Sequence, residues 1–118
     1  MDVQVFGSQK HADVRKALRF FSERRVQVHF VDLKERAASK GELQRFAQKF
    51  GVSALIDKES KRYAELGLAV VRYDDDRWLT TLVAEPLVLR IPLVRCRHHV
   101  TIGLAEDDWK SWIEASKK

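Results

Sequence analysis

The fold of this chain is decided by the stretch Val3-Gln4-Val5-Phe6-Gly7-Ser8-Gln9-Lys10-His11-Ala12-Asp13-Val14-Arg15-Lys16-Ala17-Leu18. Its first residues are β-branched or aromatic and predict a strand, and the residues from Gly7 to His11 predict a turn. From Ala12 onward, the helical spacing predicts one apolar face made of Val14, Ala17, Leu18 and Phe21. The unpaired N–H groups at the start of this helix would point at the turn, where an anion or a thiolate could be bound.

A second strand follows this helix. Residues Val26-Gln27-Val28-His29-Phe30-Val31-Asp32 alternate between apolar and polar side chains. Strand, helix and strand within about 30 residues form a βαβ unit, so we expect two parallel strands joined by a right-handed crossover.

The middle of the chain predicts helices. Ser39 and Glu42 fit a capping box, which opens a helix that ends at Gly51. Its predicted apolar face consists of Leu43, Phe46, Ala47 and Phe50. Short helical turns follow, with Ser60 as a cap and Gly67 as a stop. Asp74-Asp75-Asp76 then begins a helix that ends before Pro86, with an apolar face of Trp78, Leu79, Leu82 and Val83.

The last part of the chain predicts a hairpin and a helix. Leu93–Cys96 and Val100–Leu104 would be its strands, joined by a turn at Arg97-His98-His99. The helix begins near Glu106-Asp107-Asp108 and buries Trp109, Trp112 and Ile113. We expect Lys117-Lys118 to fray.

Length and composition indicate one domain. The 118 residues, of which 45% are hydrophobic, can form one core and are too few for two domains of ordinary size. No apolar run approaches the roughly 20 residues that cross a bilayer, and no signal peptide is visible, so we expect a cytoplasmic protein without a membrane partner. Cys96 is the only cysteine, which excludes an internal disulfide and a Cys-x-x-Cys pair.

The charge is basic, with 22 Lys and Arg against 17 Asp and Glu and a net charge of +5. A basic stripe on the first helix consists of Arg15, Lys16, Arg19, Arg24 and Arg25. The stripe is either a protein-binding surface or the solvated side of an amphipathic helix. No long Lys/Arg tract occurs, and no aromatic residues interleave with the stripe. A nucleic-acid-associated role is therefore supported only by the net charge, and we do not expect direct nucleic-acid binding.

The quoted stretch resembles the first β-turn-α of the ArsC/Spx family, the glutaredoxin-like arsenate reductases and their transcription-regulator relatives. Further motifs agree in order and spacing: Arg62-Tyr63-Ala64-Glu65-Leu66-Gly67-Leu68, Glu85-Pro86, Arg90-Ile91-Pro92-Leu93-Val94 and Val100-Thr101-Ile102-Gly103-Leu104. The resemblance implies an α/β, thioredoxin-like fold over residues 1–118. It would have a four-stranded mixed sheet, βαβ then ββα, with a helical insertion at about residues 33–85.

The resemblance also implies a cleft. In the family, the loop after the first strand meets the segment around the proline, so Ile91-Pro92 should be a cis bond that faces His11. His11 stands where the family usually has its nucleophilic cysteine, four residues before a basic residue that is Arg15 here. Asp57, Ile91 and Leu104 stand where oxyanion-binding arginines are expected, so arsenate reduction by the family mechanism is not expected.

The candidate ligand-binding residues are Ser8, Gln9, Lys10, His11, Arg15 and Pro92. His11 cannot replace a cysteine in thiol-disulfide exchange, which requires sulfur. It could bind an anion with Lys10, Arg15 and the helix N-terminus, or act as a general acid or base. The alternative is a partly exposed histidine without a role of its own.

Cys96 has two interpretations. Its neighbours Arg95, Arg97, His98 and His99 could lower the thiol pKa and give a reactive thiolate, or Cys96 is a small buried apolar residue. Cys96, His98 and His99 fall short of a zinc pattern, and Asp74–Asp76 lack the ligand spacing of a calcium loop, so no metal is expected.

Three functions follow. The first is a non-catalytic module that binds a protein or an anionic small molecule and needs no cofactor. The second is a glutathione-dependent thiol or arsenate reductase-like oxidoreductase that uses Cys96 or an external thiol. The third is a transcription-associated factor, for which RNA polymerase would be the partner by analogy with the Spx branch.

Overall fold

The computed structural model describes residues 1–117 and divides the chain into two compact units. Of the described residues, one unit contains 1–33 and 91–117, and the other contains 34–90. The second unit corresponds to the predicted helical insertion, with bounds a few residues wider at its end. Lys118, part of the predicted frayed end, lies outside the described residues. No described helix is both long and apolar enough to span a bilayer.

The order of elements matches the predicted order. In chain order the strands and helices are β1 (Asp2–Gly7), α1 (Ala12–Glu23), β2 (Gln27–Asp32), α2 (Lys40–Phe50), α3 (Lys61–Glu65), α4 (Asp75–Ala84), β3 (Leu93–Cys96), β4 (His99–Ile102) and α5 (Glu106–Ser116). Short 3₁₀ turns occur at Val52–Leu55, Leu68–Val70 and Pro86–Val88.

The first unit is built on a four-stranded mixed sheet in the order β2-β1-β3-β4. β1 runs parallel to β2 and antiparallel to β3, and β3 and β4 form an antiparallel hairpin. The predicted α/β fold, with a βαβ unit followed by ββα, is therefore confirmed.

The core of this unit lies on one face of the sheet, which we call the core face. Val3 and Val5 of β1 and Val94 and Cys96 of β3 contribute to it, since alternate residues of a strand share a face. Both α1 and α5 pack on this face, through Ala17, Phe20, Phe21 and Trp109. The Trp109 ring lies 5.3 Å from the Phe20 ring and 5.0 Å from the Phe21 ring. Its indole N–H donates to Thr101 Oγ1 at 2.9 Å.

Gly7 allows α1 to approach the end of β1 closely. A Cβ atom added at Gly7 would lie 2.5 Å from Val14 Cγ2, which is closer than carbon atoms can pack. Val14 is fully buried and is the first core residue of α1. Because Gly7 has no side chain, α1 can pack directly against the end of β1 at this position.

The second unit is helical and contains its own buried residues, among them Leu43, Phe46, Leu55, Leu79 and Leu82. Local capping signals set its helix starts. The predicted capping box is present, with Ser39 Oγ accepting the N–H of Glu42 at 3.1 Å and the Glu42 carboxylate accepting the N–H of Ser39 at 2.9 Å. Ser60 caps α3, as predicted, and the predicted helix start at Asp74–Asp76 is present, with Asp74 as the N-cap of α4.

An ion pair joins two of the sequence motifs in this unit. The Arg62 guanidinium donates to both carboxylate oxygens of Glu85, at 3.0 and 3.1 Å. Arg62 begins the Arg62–Leu68 motif, and Glu85 directly precedes Pro86. The hydrogen bond from Arg62 lowers the pKa of the Glu85 carboxyl. The two motifs are therefore parts of one contact between α3 and the end of α4.

The structure corrects some predicted details. Phe50, predicted to be on the buried face of α2, is 41% exposed, whereas Phe20, which was not predicted to be buried, lies in the core. The hairpin turn contains only Arg97 and His98, because Arg97 adopts a left-handed φ of 56° that lets His99 begin β4 opposite Cys96. β4 ends at Ile102 rather than Leu104, since Gly103 turns the chain with a φ of 77°.

We expect Gly7→Ala to lower the free energy of unfolding by about 1–3 kcal/mol, because the added methyl group would overpack the contact with Val14. Gly41→Ala is the matched control, since Gly41 is exposed in α2 and its added Cβ would meet only Ser39 Oγ at 4.0 Å. This control should raise stability by about 0.5 kcal/mol. Urea unfolding of both variants measures the difference, and equal stability of Gly7→Ala and the wild type would contradict this account.

Candidate functional site

The loop between β1 and α1 contains most of the predicted site residues, and hydrogen bonds hold it in a turn. Ser8 Oγ accepts the backbone N–H of Lys10 at 3.3 Å, and the Ser8 carbonyl accepts the N–H of His11 at 3.0 Å. Ser8 and His11 are partly buried, whereas Gln9 and Lys10 are exposed. The structure thus brings four predicted residues, Ser8 to His11, into one compact turn at the end of β1.

His11 is the N-cap residue of α1. Its backbone is extended, with φ −86° and ψ 128°, and its Nδ1 atom accepts the backbone N–H of Asp13 at 3.2 Å. An N-cap side chain satisfies one of the N–H groups that has no partner within the helix. The imidazole therefore has a structural role that was not among the predicted roles.

Arg15 fastens the helix to the same loop. Its guanidinium donates to the carbonyl oxygen of Gln9 at 2.9 Å, although the side chain is largely exposed. Part of the cation's donor capacity is thus used within the chain. Lys10 is the remaining predicted cation of the loop, and it is exposed.

Pro92 reaches the same end of the sheet through β3. The Ile91-Pro92 bond is cis, as predicted. Phe6 pairs with Leu93, so the next residues along the two antiparallel strands, Gly7 and Pro92, are adjacent. Pro92 is buried and its carbonyl accepts the N–H of Gly103 at 2.8 Å. The predicted orientation of this bond toward His11 stays a prediction.

Cys96 lies away from the loop and inside the core. The strand register places it beyond the Gln4–Arg95 pair, roughly 13 Å along β1 from Gly7 at about 3.3 Å per residue. It is only 7% exposed. Burial raises the pKa of the Cys96 thiol and outweighs the opposing effect of Arg97 and Arg95. Of its two interpretations, the structure supports the buried apolar residue over the reactive thiolate.

His98 and His99 are exposed at the hairpin, and their rings are in contact at a tilt of 37°. Their ring centroids are 4.2 Å apart, and the His99 ring lies 5.8 Å from Trp112 of α5. Among residues 1–117, no three His, Cys, Asp or Glu side chains are arranged to hold a metal ion. Of the positions where the resemblance implies arginines, Leu104 is 40% exposed and Asp57 Oδ1 accepts the N–H of Glu59 at 3.1 Å.

The basic stripe forms an exposed surface that we call the α1 basic surface. Its members are Arg15, Lys16, Arg19, Arg24 and Arg25, and within residues 1–117 none of them lies in an ion pair. The Arg24 guanidinium lies 3.8 Å above the Phe20 ring and donates to the Phe20 carbonyl at 3.1 Å. A groove of about 300 Å³ adjoins this surface and is also lined by Glu23 and Glu106.

This arrangement of sheet, helices and loop defines a thioredoxin-like α/β protein. The chain belongs to the ArsC family, whose sequence model matches residues 6–112. The chain is 25% identical over 114 residues to the uncharacterized protein YusI of Bacillus subtilis (strain 168). This alignment covers 93% of this chain and 97% of YusI. The predicted family is thereby confirmed.

Solved structures agree on the fold. The arsenate reductase from Vibrio cholerae is similar with a TM-score of 0.78 and 23% identity, over 86% of this chain and 89% of that protein. The YffB (PA3664) protein is similar with a TM-score of 0.84 and 16% identity, over 92% of this chain and 96% of that protein. At these identities the likeness establishes the fold alone.

Replacing His11 tests its capping role. We expect His11→Ala to lower the free energy of unfolding by about 0.5–1.5 kcal/mol, because the Asp13 N–H loses its acceptor. His11→Ser keeps a capping oxygen and should be at least as stable as the wild type. Urea unfolding compares the three proteins, and equal stabilities of the alanine and serine variants would mean that the imidazole contributes nothing as a cap.

Proposed function

We propose that this chain is a non-catalytic member of the ArsC family that binds a protein partner. The observation that carries the proposal is the position of its only thiol. Cys96 is buried in the sheet core with a raised pKa, whereas exchange with a disulfide requires an accessible thiolate. The position where the resemblance implies a nucleophilic cysteine is His11, which is engaged as a helix cap.

Binding of a small anion in the loop has less support than binding of a protein. The His11 imidazole already caps the Asp13 N–H, and Arg15 donates to the Gln9 carbonyl. Asp13 adds a carboxylate in the first turn of α1, where it would repel a bound anion. Phosphate or glutathione would therefore compete with contacts that the chain already makes.

The α1 basic surface supports a protein partner. Its cations have no ion-pair partner in the described chain, and the Phe20 ring together with the Phe20 carbonyl holds Arg24 in place. An ordered cation loses less side-chain entropy on binding than a free one. Glu23 and Glu106 interrupt the positive charge beside the surface, which suits an acidic protein surface better than the uniform charge of a nucleic acid. RNA polymerase remains an analogy with the Spx branch.

A glutathione-coupled reductase assay tests the absence of catalysis. We expect neither the wild type nor Cys96→Ser to turn over arsenate or a small mixed disulfide above background. His11→Cys is the control for an intact cleft, and turnover by this variant alone would fit the proposal. Wild-type turnover that Cys96→Ser abolishes would overturn it and favour the oxidoreductase alternative.

Thiol labelling should also be at least tenfold slower in the folded protein than in urea, because Cys96 is buried.

Charge reversal tests the protein-binding role. Lys16→Glu/Arg19→Glu reverses two exposed cations of the α1 basic surface, and Lys58→Glu/Lys61→Glu reverses two exposed cations of the second unit as a matched control. Binding partners would be captured from a lysate, identified and then titrated as purified proteins. We expect the α1 variant to weaken binding at least tenfold and the control to retain it. Equal binding by both variants, or no partner for the wild type, would count against the proposal.

A further inference from the structure

β2 is an edge strand with only one partner. Within residues 1–117 it pairs with β1 and with no strand on its other side. Alternate N–H and C=O groups of an edge strand point away from the sheet and can pair with another extended chain. The binding partner that fits this edge is therefore an extended chain segment, whose backbone can pair with these groups.

Apolar side chains line the same edge. Val26, Val28 and Phe30 project onto the core face at every second position, and all three are only half-buried, as is Leu18 of α1 beside them. A groove of about 450 Å³ runs here, lined by Leu18, Ser22, Arg25, Val26, Gln27 and Val28. We call it the β2 groove.

β2 also lacks the features that usually protect an edge. Proteins discourage strand addition with proline, lysine, bulges or very short strands. The strand Gln27–Asp32 is six residues long, contains neither proline nor lysine, and pairs with β1 residue by residue without a bulge. Its one charged residue other than histidine is Asp32, at its very end.

The opposite edge of the sheet differs. β4 contains only four residues, and its central residues Val100 and Thr101 are buried. Thr101 Oγ1 accepts the indole N–H of Trp109, and the His99 ring stacks on the Trp112 ring. The structure therefore leaves β2 as the edge with room for an added strand.

Arg25 places a positive charge at the start of the β2 groove. It adopts a left-handed φ of 57°, which L-residues other than Asn and Asp seldom do. Two backbone hydrogen bonds hold this turn, from the N–H of Arg25 to the Ser22 carbonyl at 3.1 Å and from the N–H of Val26 to the Phe21 carbonyl at 3.0 Å. These bonds hold the backbone of Arg25 just before the strand, and its exposed guanidinium has no ion-pair partner in the described chain.

We propose that the β2 edge binds an extended segment of a partner protein by strand addition. The segment runs antiparallel to β2, which is the more stable pairing. Its alternate apolar side chains enter the β2 groove. Because an antiparallel guest ends where β2 begins, an acidic residue or a chain carboxylate at its C-terminal end meets Arg25. Arg25 is the one member of the α1 basic surface that lines this groove, whereas Lys16 and Arg19 line a different one. The inference therefore goes beyond the proposed function and does not depend on it.

A designed peptide tests the inference. The probe is the N-acetylated peptide Lys-Thr-Val-Thr-Val-Thr-Val-Glu, added to the isotope-labelled wild-type protein and followed by amide chemical shifts. We expect shifts at the amides from Arg25 to Phe30 and slower hydrogen exchange along β2. The same peptide with every backbone amide N-methylated has no N–H group to donate to a strand edge and should bind at least tenfold more weakly.

Variants of two exposed arginines with a left-handed φ test the charge. Arg25→Asn removes the cation and keeps a residue that tolerates the left-handed φ, so the fold should be preserved. We expect it to weaken peptide binding about threefold, as for a solvent-exposed ion pair. Arg97→Asn is the matched control, because Arg97 is also exposed, has a similar left-handed φ of 56° and does not line the β2 groove, and it should bind like the wild type.

Three results would overturn the inference. The first is the absence of shifts at β2 with millimolar peptide, and the second is equal binding of the N-methylated peptide. The third is a concentration-dependent dimer of the free protein with protected β2 amides, which would assign the edge to a second copy of this chain. None of these results bears on whether Lys16→Glu/Arg19→Glu loses its protein partner. Failure of the strand-addition inference can therefore be distinguished from failure of the proposed function.

Discussion

The burial of Trp109 is the constraint on which the sheet unit depends. Its side chain is 0% exposed, so the indole N–H needs an acceptor inside the core, and Thr101 Oγ1 supplies it. Thr101 pairs with Val94 in the hairpin, and the Trp109 ring contacts Phe20 and Phe21. One side chain thereby relates α5, β4 and α1. The position of α1 in turn decides where the loop residues and the exposed cations lie.

Local signals predicted most of the secondary structure. The alternation in β2, the capping box at Ser39 and the helix start at Asp74–Asp76 each depend on residues within a few positions, and each is present. The predicted faces were less accurate, because helical periodicity gives a direction and not a partner. Phe20 is buried since Trp109 lies beside it and Arg24 covers it, and neither contact can be inferred from the spacing of α1 alone.

The site was predicted in position more than in role. The loop residues and the cis bond at Pro92 follow from the family resemblance, but the capping bond of His11 depends on backbone angles that only the structure gives. For Cys96, the cationic neighbours in sequence suggested reactivity. Strand alternation puts Cys96 on the core face and turns Arg95 to the other, so burial has the larger effect on the thiol.

The capping bond of His11 also fixes the chemical character of the loop. Nδ1 can accept the Asp13 N–H only without a hydrogen of its own, so in the neutral ring the hydrogen resides on Nε2. The ring nitrogen that remains available is then a hydrogen-bond donor. A thiolate at this position would offer electron pairs to a ligand, whereas this tautomer offers a hydrogen. The hydrogen-bonding character of this position is therefore reversed from acceptor to donor, and a molecule that binds there must supply the acceptor atom.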